Sequence, residues 1–382
     1  IARGKIIYGD SNGDPAVLTV GSANQVLTSD GTDISWAAAG GGAVNNFIIN
    51  GEMKIAQRGT SHSFAHDGTA SGYSLDRWRW YASQIDEWDW TISQDSSGPP
   101  GFSKSLKITT GTAESAVASD EYAYLCQEIE GQNLQSLGYG AGTAKASTIS
   151  FWVKSSQTGT FGFSVYRGGS TDRIVNLNYS ISSADTWEKK TLSVPADTSD
   201  GITDDTSSGM RVVWGLLGGT NFTSATPSTS WYDYTGATQY LAGHAQNGVA
   251  TTASATWYLT GVQFELGSSA NDYSHISVGD ELLRCQRYFY VLAKGRDDGE
   301  RPISLMVYEN GSRVTTIVRH PVRPRATPTL TATNATGAFM IRRADGNDGF
   351  DTITQRYADY EATELTQGSG VSGSDLHPGM FR

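Results

Sequence analysis

The chain has 382 residues, 38% hydrophobic and 18% charged, with 28 Lys and Arg against 39 Asp and Glu and a net charge of -11. That length accommodates two or three domains. An acidic chain without a basic run is a poor partner for nucleic acid or an anionic membrane, and no apolar run approaches the roughly 20 residues of a bilayer span.

The two cysteines, Cys126 and Cys285, both sit in apolar surroundings. This excludes a disulfide scaffold and fits buried thiols in a protein assembled in a reducing cytoplasm. The 44 glycines, with many Ser and Thr, point to short strands and tight turns rather than helical bundles. The first residues, Ile1 to Lys5, lack a signal-peptide core, and an opening on Ile rather than Met is expected of the C-terminal piece of something longer.

Residues 1–43 read as short extended pieces. Gln25 to Ser29 and Ile34 to Trp36, joined through Asp30-Gly31, carry a strong hairpin signal. A lone hairpin is marginal in water and this one has too few apolar side chains to bury a face. Three copies packing Leu18, Val20, Leu27, Ile34 and Trp36 about one axis would cover them, which predicts a homotrimer. Ala37 to Gly42 reads as a linker.

Residues 44–277 read as all-β. Asn46 to Gly51 is the expected first strand and Thr256 to Leu266, with period-2 alternation, the last, the two pairing to close a sandwich. Between them lie strand candidates at Trp88 to Ile92, Ser105 to Ile108, Tyr122 to Ile129, Ser147 to Lys154, Gly159 to Tyr166, Val175 to Ile181, Trp187 to Val194 and Met210 to Leu216. Eight to ten strands suffice for two packed sheets, a jelly-roll β-sandwich.

Residues 278–382 open on Ser277-Val278-Gly279-Asp280, a capping-box pattern for a short helix through Cys285, with a return to strand near Tyr288 to Val291. Beyond come strand candidates at Ile303 to Tyr308, Val314 to Val318, Thr329 to Thr333, Ala338 to Ile341 and Tyr357 to Tyr360, a small β tip domain read as a sandwich with a thin core. Pro321, Pro324 and Pro328 predict a loop or an edge in its middle.

Motifs for catalysis are missing: there is no Gly-x-Ser-x-Gly, no P-loop and no His-Glu-x-x-His. Gly138 to Gly142 precedes a strand rather than a helix, so no helix N-terminus awaits an anion there. His62 and His66 sit among Gly and Ser and read as loop. Asp10 to Asp14 resembles the start of a calcium loop but has Pro15 where Gly is required, and Asp197 to Asp205 lacks the ligand spacing. No metal-ligand residues are assigned and no cofactor is expected, while a structural calcium at an unidentified site stays open. A glycosidase needs two carboxylates about 5 to 10 Å apart. The one place where acids crowd aromatics, Asp86, Glu87 and Asp89 with Trp88 and Trp90, reads as a solvated face over a core face, so no catalytic residue is assigned.

The aromatic residues carry the binding hypothesis. Trp231, Tyr232, Asp233, Tyr234 and Tyr240 lie in a stretch rich in Ser, Thr and Gly, where flat rings on loops can stack on sugar faces and an Asp can bond hydroxyls. Packing against another subunit is the rival explanation. Asp76-Arg77-Trp78 is expected to be structural, an ion pair or an Arg stacked on Trp.

Three motifs occur in order: Asn46 to Met53 with Gln57-Arg58-Gly59 and Asp76-Arg77-Trp78; Gly261 to Gly267; and Arg284 to Phe289. Over residues 46–292 the chain thereby resembles the tail-fibre and receptor-binding proteins of tailed bacteriophages, and Gly21 to Gly31 resembles a Gly-rich repeat near the ends of phage fibre shafts. The strand order is also similar to the carbohydrate-binding jelly-roll modules appended to glycosidases. The resemblance implies a non-enzymatic virion protein, assembled in the host cytoplasm, that binds host-surface polysaccharide and joins other tail proteins through the region before residue 1. A head-decoration fibre, or a depolymerase tailspike, is the alternative.

Overall fold

The computed structural model describes residues 3–21, 25–29, 32–38, 46–65, 68–245, 248–293, 303–310, 313–334, 338–343, 346–367 and 378–381. The Asp30-Gly31 turn, His66, Gly40 to Gly42 and part of the Gly-rich repeat lie outside them. The chain divides into two compact units, Ile1–Asn45 and Asn46–Arg382.

The first unit is two hairpins, β1 (Ile6–Gly9) with β2 (Pro15–Leu18), and β3 (Gln25–Ser29) with β4 (Ile34–Ala38). No described side chain in it is buried: Leu18, Ile34 and Trp36 are half-covered, while Val20 and Leu27 are exposed. The Trp36 indole N–H donates to the Thr19 carbonyl at 2.6 Å. Asp10 is occupied locally, its Oδ1 accepting from the backbone of Asn12 and Asp14.

The second unit begins with the sandwich. Its strands are β5 (Ser61–Phe64), β6 (Gly68–Tyr73), β7 (Arg79–Ile85), β8 (Trp90–Asp95), β9 (Ser105–Thr110), β10 (Tyr122–Glu130), β11 (Ser147–Ser155), β12 (Gly159–Phe161), β13 (Phe163–Arg167), β14 (Arg173–Asn176), β15 (Tyr179–Ile181), β16 (Glu188–Val194), β17 (Ser208–Gly218), β18 (Tyr232–Asp233) and β19 (Thr256–Leu266). A seven-stranded sheet in the order β18-β14-β13-β17-β10-β7-β6 packs on a six-stranded sheet in the order β16-β11-β19-β9-β8-β5, and every pairing is antiparallel. The aromatic core between them includes Trp78, Trp88, Trp214, Trp257, Phe151, Phe163 and Phe264. The jelly-roll sandwich expected from the sequence is present.

Several strand expectations are corrected, and His62, expected in a loop, lies in β5. Gly159 to Tyr166 and Val175 to Ile181 each split in two, because the chain leaves the β12–β15 ribbon at Gly162 to join the seven-stranded sheet and returns from that sheet to the ribbon after Asn176. In β19 one alternation does not persist: Gly261 sits at φ 60 beside a register shift. The bulge flips the parity, so Trp257 and Leu259 face the core before it and Val262 and Phe264 after it, while Leu266 is exposed. A side chain at Gly261 would meet the Phe102 ring at 2.7 Å.

Asn46 to Gly51 is not a strand. It does run along the last one, as expected, with Phe47 N–H donating to the Phe264 carbonyl at 2.9 Å and Val262 N–H to the Gly51 carbonyl at 3.0 Å, and side chains make the remaining bonds. Asn46 Nδ2 donates to the Val262 carbonyl at 3.0 Å, its Oδ1 accepts from Phe264 N–H at 2.9 Å, and Gln127, reaching across from β10, brackets both backbone groups of Ile49. Gly51 packs directly on β19; a Cβ there would lie 2.2 Å from the Val262 carbonyl oxygen.

At the other end of the unit, α1 (Thr220–Thr223) is a single turn within a flap, whereas α2 (Val278–Gln286) is capped by Ser277, whose hydroxyl accepts from Asp280 N–H. No strand follows at Tyr288 to Val291, where the chain turns without a ladder. The tip is one seven-stranded sheet rather than a sandwich, ordered β23 (Gly346–Phe350), β22 (Phe339–Arg343), β26 (Pro378–Phe381), β20 (Ser304–Asn310), β21 (Arg313–Arg319), β25 (Ala362–Gln367) and β24 (Thr354–Ala358). Thr329 to Thr333 is not a strand but a cover over the sheet, with Leu330 and Ala332 packed on its core.

Asn50, at φ 59, ties these parts together. Its amide nitrogen donates to the carbonyls of Ile55 (2.9 Å) and Asp76 (3.0 Å), and its side-chain oxygen accepts from Ile55 N–H at 2.9 Å. Replacing Asn50 with Ala orphans three buried backbone groups and leaves a strained backbone, so a loss of roughly 3–5 kcal/mol in urea unfolding is expected; a loss below about 1 kcal/mol would remove Asn50 from this role.

Candidate functional site

Alternation along β10 sends Ala123, Leu125 and Ile129 into the core and leaves Tyr122, Tyr124, Cys126 and Glu128 on the outer face of the seven-stranded sheet. The antiparallel register extends this face sideways. Glu128 stands beside Arg211 of β17, which stands beside Tyr166 of β13, Ile174 of β14 and Tyr232 of β18. A neighbouring row runs from Ser71 through Tyr81 and Tyr124 to Gly215. At about 4.8 Å per strand, five strands give a platform about 20 Å wide.

A flap over residues 219–245 covers one side of this face. The Ser164 hydroxyl donates to the Tyr240 carbonyl at 2.8 Å, and Asn176 Nδ2 donates to the Gln239 carbonyl at 3.0 Å. His244 Nδ1 accepts from Gly162 N–H at 3.0 Å. Left accessible are Tyr81, Tyr122, Tyr166 and Tyr234 together with Arg79, Arg211 and Glu128. Tyr81 lies 5.1 Å from Tyr124, and the Arg79 guanidinium lies 4.1 Å above the Tyr81 ring. Arg211 donates to Glu128 Oε1 at 2.6 Å and to the Tyr240 hydroxyl at 3.1 Å. Burial pushes the Tyr240 phenol up to about 12.

Past Glu128 the face runs into a cleft where α2 and its following segment meet the sandwich, lined by Arg58, Tyr73, Arg77, Tyr288, Phe289 and Arg325 among others. Arg58 lies 3.5 Å over Phe289 and 5.0 Å over Tyr73. Burial opposes the Glu130 charge, but hydrogen bonds from Arg287 and Tyr288 outweigh it and hold the carboxyl below its usual range. Planar rings that offer an apolar surface, set among fixed guanidinium donors and a carboxylate acceptor, suit a ligand with flat C–H faces and an equatorial rim of hydroxyls.

The residues singled out from the sequence divide between two faces. Tyr232–Asp233 is not loop but the edge strand β18, paired with Ile174 and Arg173. Its alternation puts Tyr232 on the outer face, with its hydroxyl on Asn176 Oδ1 at 2.5 Å, and Trp231 and Asp233 on the other. Trp231 packs against the core with its indole N–H on the Pro195 carbonyl at 2.7 Å, and Asp233 pairs with Arg173 at 2.5 Å. Tyr234 and Tyr240 join the tyrosine cluster through Tyr166, at 5.3 and 6.1 Å. Tyr81, Tyr122, Tyr124, Tyr166, Arg79 and Arg211 escaped the sequence reading; the polar-apolar alternation of β10 around Tyr122, Tyr124 and Glu128 was the available signal.

Asp76-Arg77-Trp78 is structural by other contacts than expected. Asp76 accepts from Gln57 through its backbone N–H and its Nε2, both at 2.6 Å, rather than pairing with Arg77. Arg77 lies 3.5 Å over the Tyr288 ring instead of on Trp78, and donates to the Glu128 carbonyl. The fully buried Trp78 indole donates to the Asn50 carbonyl at 3.0 Å. Trp88 and Trp90 are buried and stacked at 4.4 Å; Glu87 and Asp89 hold Ser115 N–H and the Thr112 hydroxyl at 3.0 Å. Both cysteines are free and buried, and burial raises the Cys126 thiol to about 12.

No protein-family model and no curated protein matches the sequence. Among solved structures, the chain is similar to the CBM22-1 xylan-binding domain of Paenibacillus barcinonensis Xyn10C (12% identity, TM-score 0.28, 60% of this chain and 98% of that one). It is also similar to a family 11 carbohydrate-binding module of Clostridium thermocellum (11%, TM-score 0.28, 60% and 99%). A third is the enzymatically active domain of tailspike protein 4 of bacteriophage CBA120 (12%, TM-score 0.29, 60% and 24%).

His244 pins the flap and gives it a pH dependence. Burial lowers its pKa from 6.5 to about 4, so the folded protein keeps it neutral while the unfolded chain takes a proton. Stability is full above the unfolded value and is lost as pH falls from about 6.5 toward 4, by up to roughly 3 kcal/mol. Urea unfolding at pH 5 and 7.5 should show this drop in the parent and a flatter profile in His244→Gln; parallel profiles would assign the drop to other groups.

Proposed function

We propose that this chain is a non-enzymatic attachment protein, a homotrimeric fibre component of a tailed-bacteriophage virion that binds host-surface polysaccharide on the outer tyrosine face of its sandwich. The observation that carries this reading is the platform itself: Tyr81, Tyr122 and Tyr166 accessible beside Arg79, Arg211 and Glu128, on regular strands rather than on loops. A rigid sheet presents rings at little ordering cost, and three weak sites per fibre with several fibres per particle would hold a cell surface by avidity.

Two features support the phage assignment and the oligomer. The motifs behind the resemblance to tail-fibre proteins converge in space: Asn50, Asp76, Trp78, Arg284 and Phe289 all contact the segment that begins at Asn46 or the Gln57 that follows it. The hairpin unit buries no described side chain, and the tip sheet leaves Leu305 of β20 at 72%, Ile317 of the adjacent β21 at 68% and Tyr357 of β24 at 65% exposed. Apolar β-surface of this kind suits a second and third copy of the chain.

Binding is tested by glycan array and affinity electrophoresis on bacterial surface polysaccharides. Tyr81→Ala and Arg211→Ala should each weaken retention by about tenfold or more, whereas Trp231→Phe, which faces the core, should leave it unchanged. Equal binding by all three would dispose of the tyrosine face. Oligomeric state is read by light scattering: the parent should be a trimer and Leu305→Asp with Ile317→Asp should lower its mass or raise its dissociation. A monomeric parent would end the fibre reading.

A further inference from the structure

Beside the tyrosine face three carboxylates meet. Asp86 follows β7, Glu114 lies in the β9–β10 loop and Glu121 immediately precedes Tyr122, and one oxygen of each lies within 4.8 Å of the others. Glu114 and Glu121 are 2% and 1% exposed, yet among the described residues neither is paired with Lys or Arg. Each uses one oxygen on the loop: Glu114 Oε1 accepts from Ala116 N–H at 3.3 Å and Glu121 Oε2 from Ala118 N–H at 2.6 Å. Glu114 Oε2 and Glu121 Oε1, both fully buried, accept nothing.

Burying a carboxylate without a counter-charge or donor costs several kcal/mol. Two buried carboxylates and a third at their side compound that cost by repulsion, which a cation would relieve. We propose that Asp86, Glu114 and Glu121 bind a divalent cation of the calcium class, which holds the β9–β10 loop against the end of the tyrosine face. Three oxygens each about 2.3–2.6 Å from one Ca²⁺ lie about 4.0–4.5 Å from one another, so an inward shift of a few tenths of an ångström at most brings all three onto one ion. Mg²⁺, at about 2.0–2.1 Å with strict octahedral geometry, would need the cluster to contract and would give up its waters reluctantly. Asp86 is the exposed member and leaves room for water to complete the shell. The set is oxygen-only, which disfavours zinc and copper.

Electrostatics agree with this geometry: burial, with Glu114 and Asp86 behind it, pushes the Glu121 carboxyl up to about 7. The loop it would order leads into Tyr122, whose ring stands 5.8 Å from Tyr124 and 4.2 Å from Phe222 of the flap. The proposal stands independently of the polysaccharide reading.

The full-length chain, stripped with EDTA and exchanged into chelator-free buffer at pH 7.5, is titrated with CaCl₂ and separately with MgCl₂ by calorimetry and thermal melting. Ca²⁺ is expected to bind at one site per chain and raise the melting temperature, with Mg²⁺ weaker. Glu114→Gln, Glu121→Gln and the exposed Asp86→Asn should each weaken Ca²⁺ by about tenfold or more. In EDTA, Glu121→Gln should melt at or above the parent, because one negative charge leaves the cluster; a glutamate serving only as a hydrogen-bond acceptor would not give that gain. Absence of a Ca²⁺-dependent shift in the parent overturns the proposal, as does an undiminished Ca²⁺ affinity in the Asp86→Asn chain.

Discussion

Asn50 holds a left-handed backbone at φ 59 inside a protein interior, and almost every polar atom around it closes a contact between segments far apart in the chain. Its side chain bonds Ile55 and Asp76, its carbonyl takes the Trp78 indole, and its own N–H donates to Glu281 of α2 at 2.5 Å. Segments that never pair as strands are thereby fixed at the end of the sandwich. A buried polar network of this kind stabilises only when complete, which is why one amide residue can carry so much of the assembly.

From this lock the positions of the other parts follow. Arg284 of α2 donates to the Asn46 carbonyl at 3.0 Å, Arg287 clasps Glu130 at the end of β10 at 2.7 Å, and Arg77 lies over Tyr288. The helix and the segment after it are thus riveted to the sheet whose outer face carries the tyrosines, and the cleft beside Glu128 is the gap this docking leaves. Structural and ligand-facing roles divide by strand parity. On β10, odd-numbered residues hold the core while Tyr122, Tyr124 and Glu128 look outward.

A second network braces the far edge of the same sheet. Arg167, fully buried, reaches Asp197 at 2.7 Å, and Arg173 links Asp197 at 2.8 Å to Asp233 of β18. Breaking one partner would strand a buried charge, so this edge is held as firmly as the Asn50 end. The rings of the face therefore rest on a frame clamped at both sides, the condition for a recognition surface that needs little ordering on binding.

The amino-acid sequence alone determined the all-β class, most of the long strands and the Ser277 cap, because alternation and capping are local properties that each segment carries by itself. It also marked the Asn46, Asp76 and Arg284 motifs as belonging together. What only the tertiary structure decided was set by long-range partners. Asn46 to Gly51 is strand-like in pattern yet divides its hydrogen bonds between the backbone of the last strand and the Gln127 and Asn46 side chains; Gly261 inverts the parity of the last strand where Phe102 crowds it. Tyr232 and Trp231 are neighbours in the chain but face opposite sides, because β14 recruited them as an edge. The tyrosine face and the carboxylate cluster are likewise built from residues on strands and loops brought side by side only when the sheets register, and no local pattern records which strands will be neighbours.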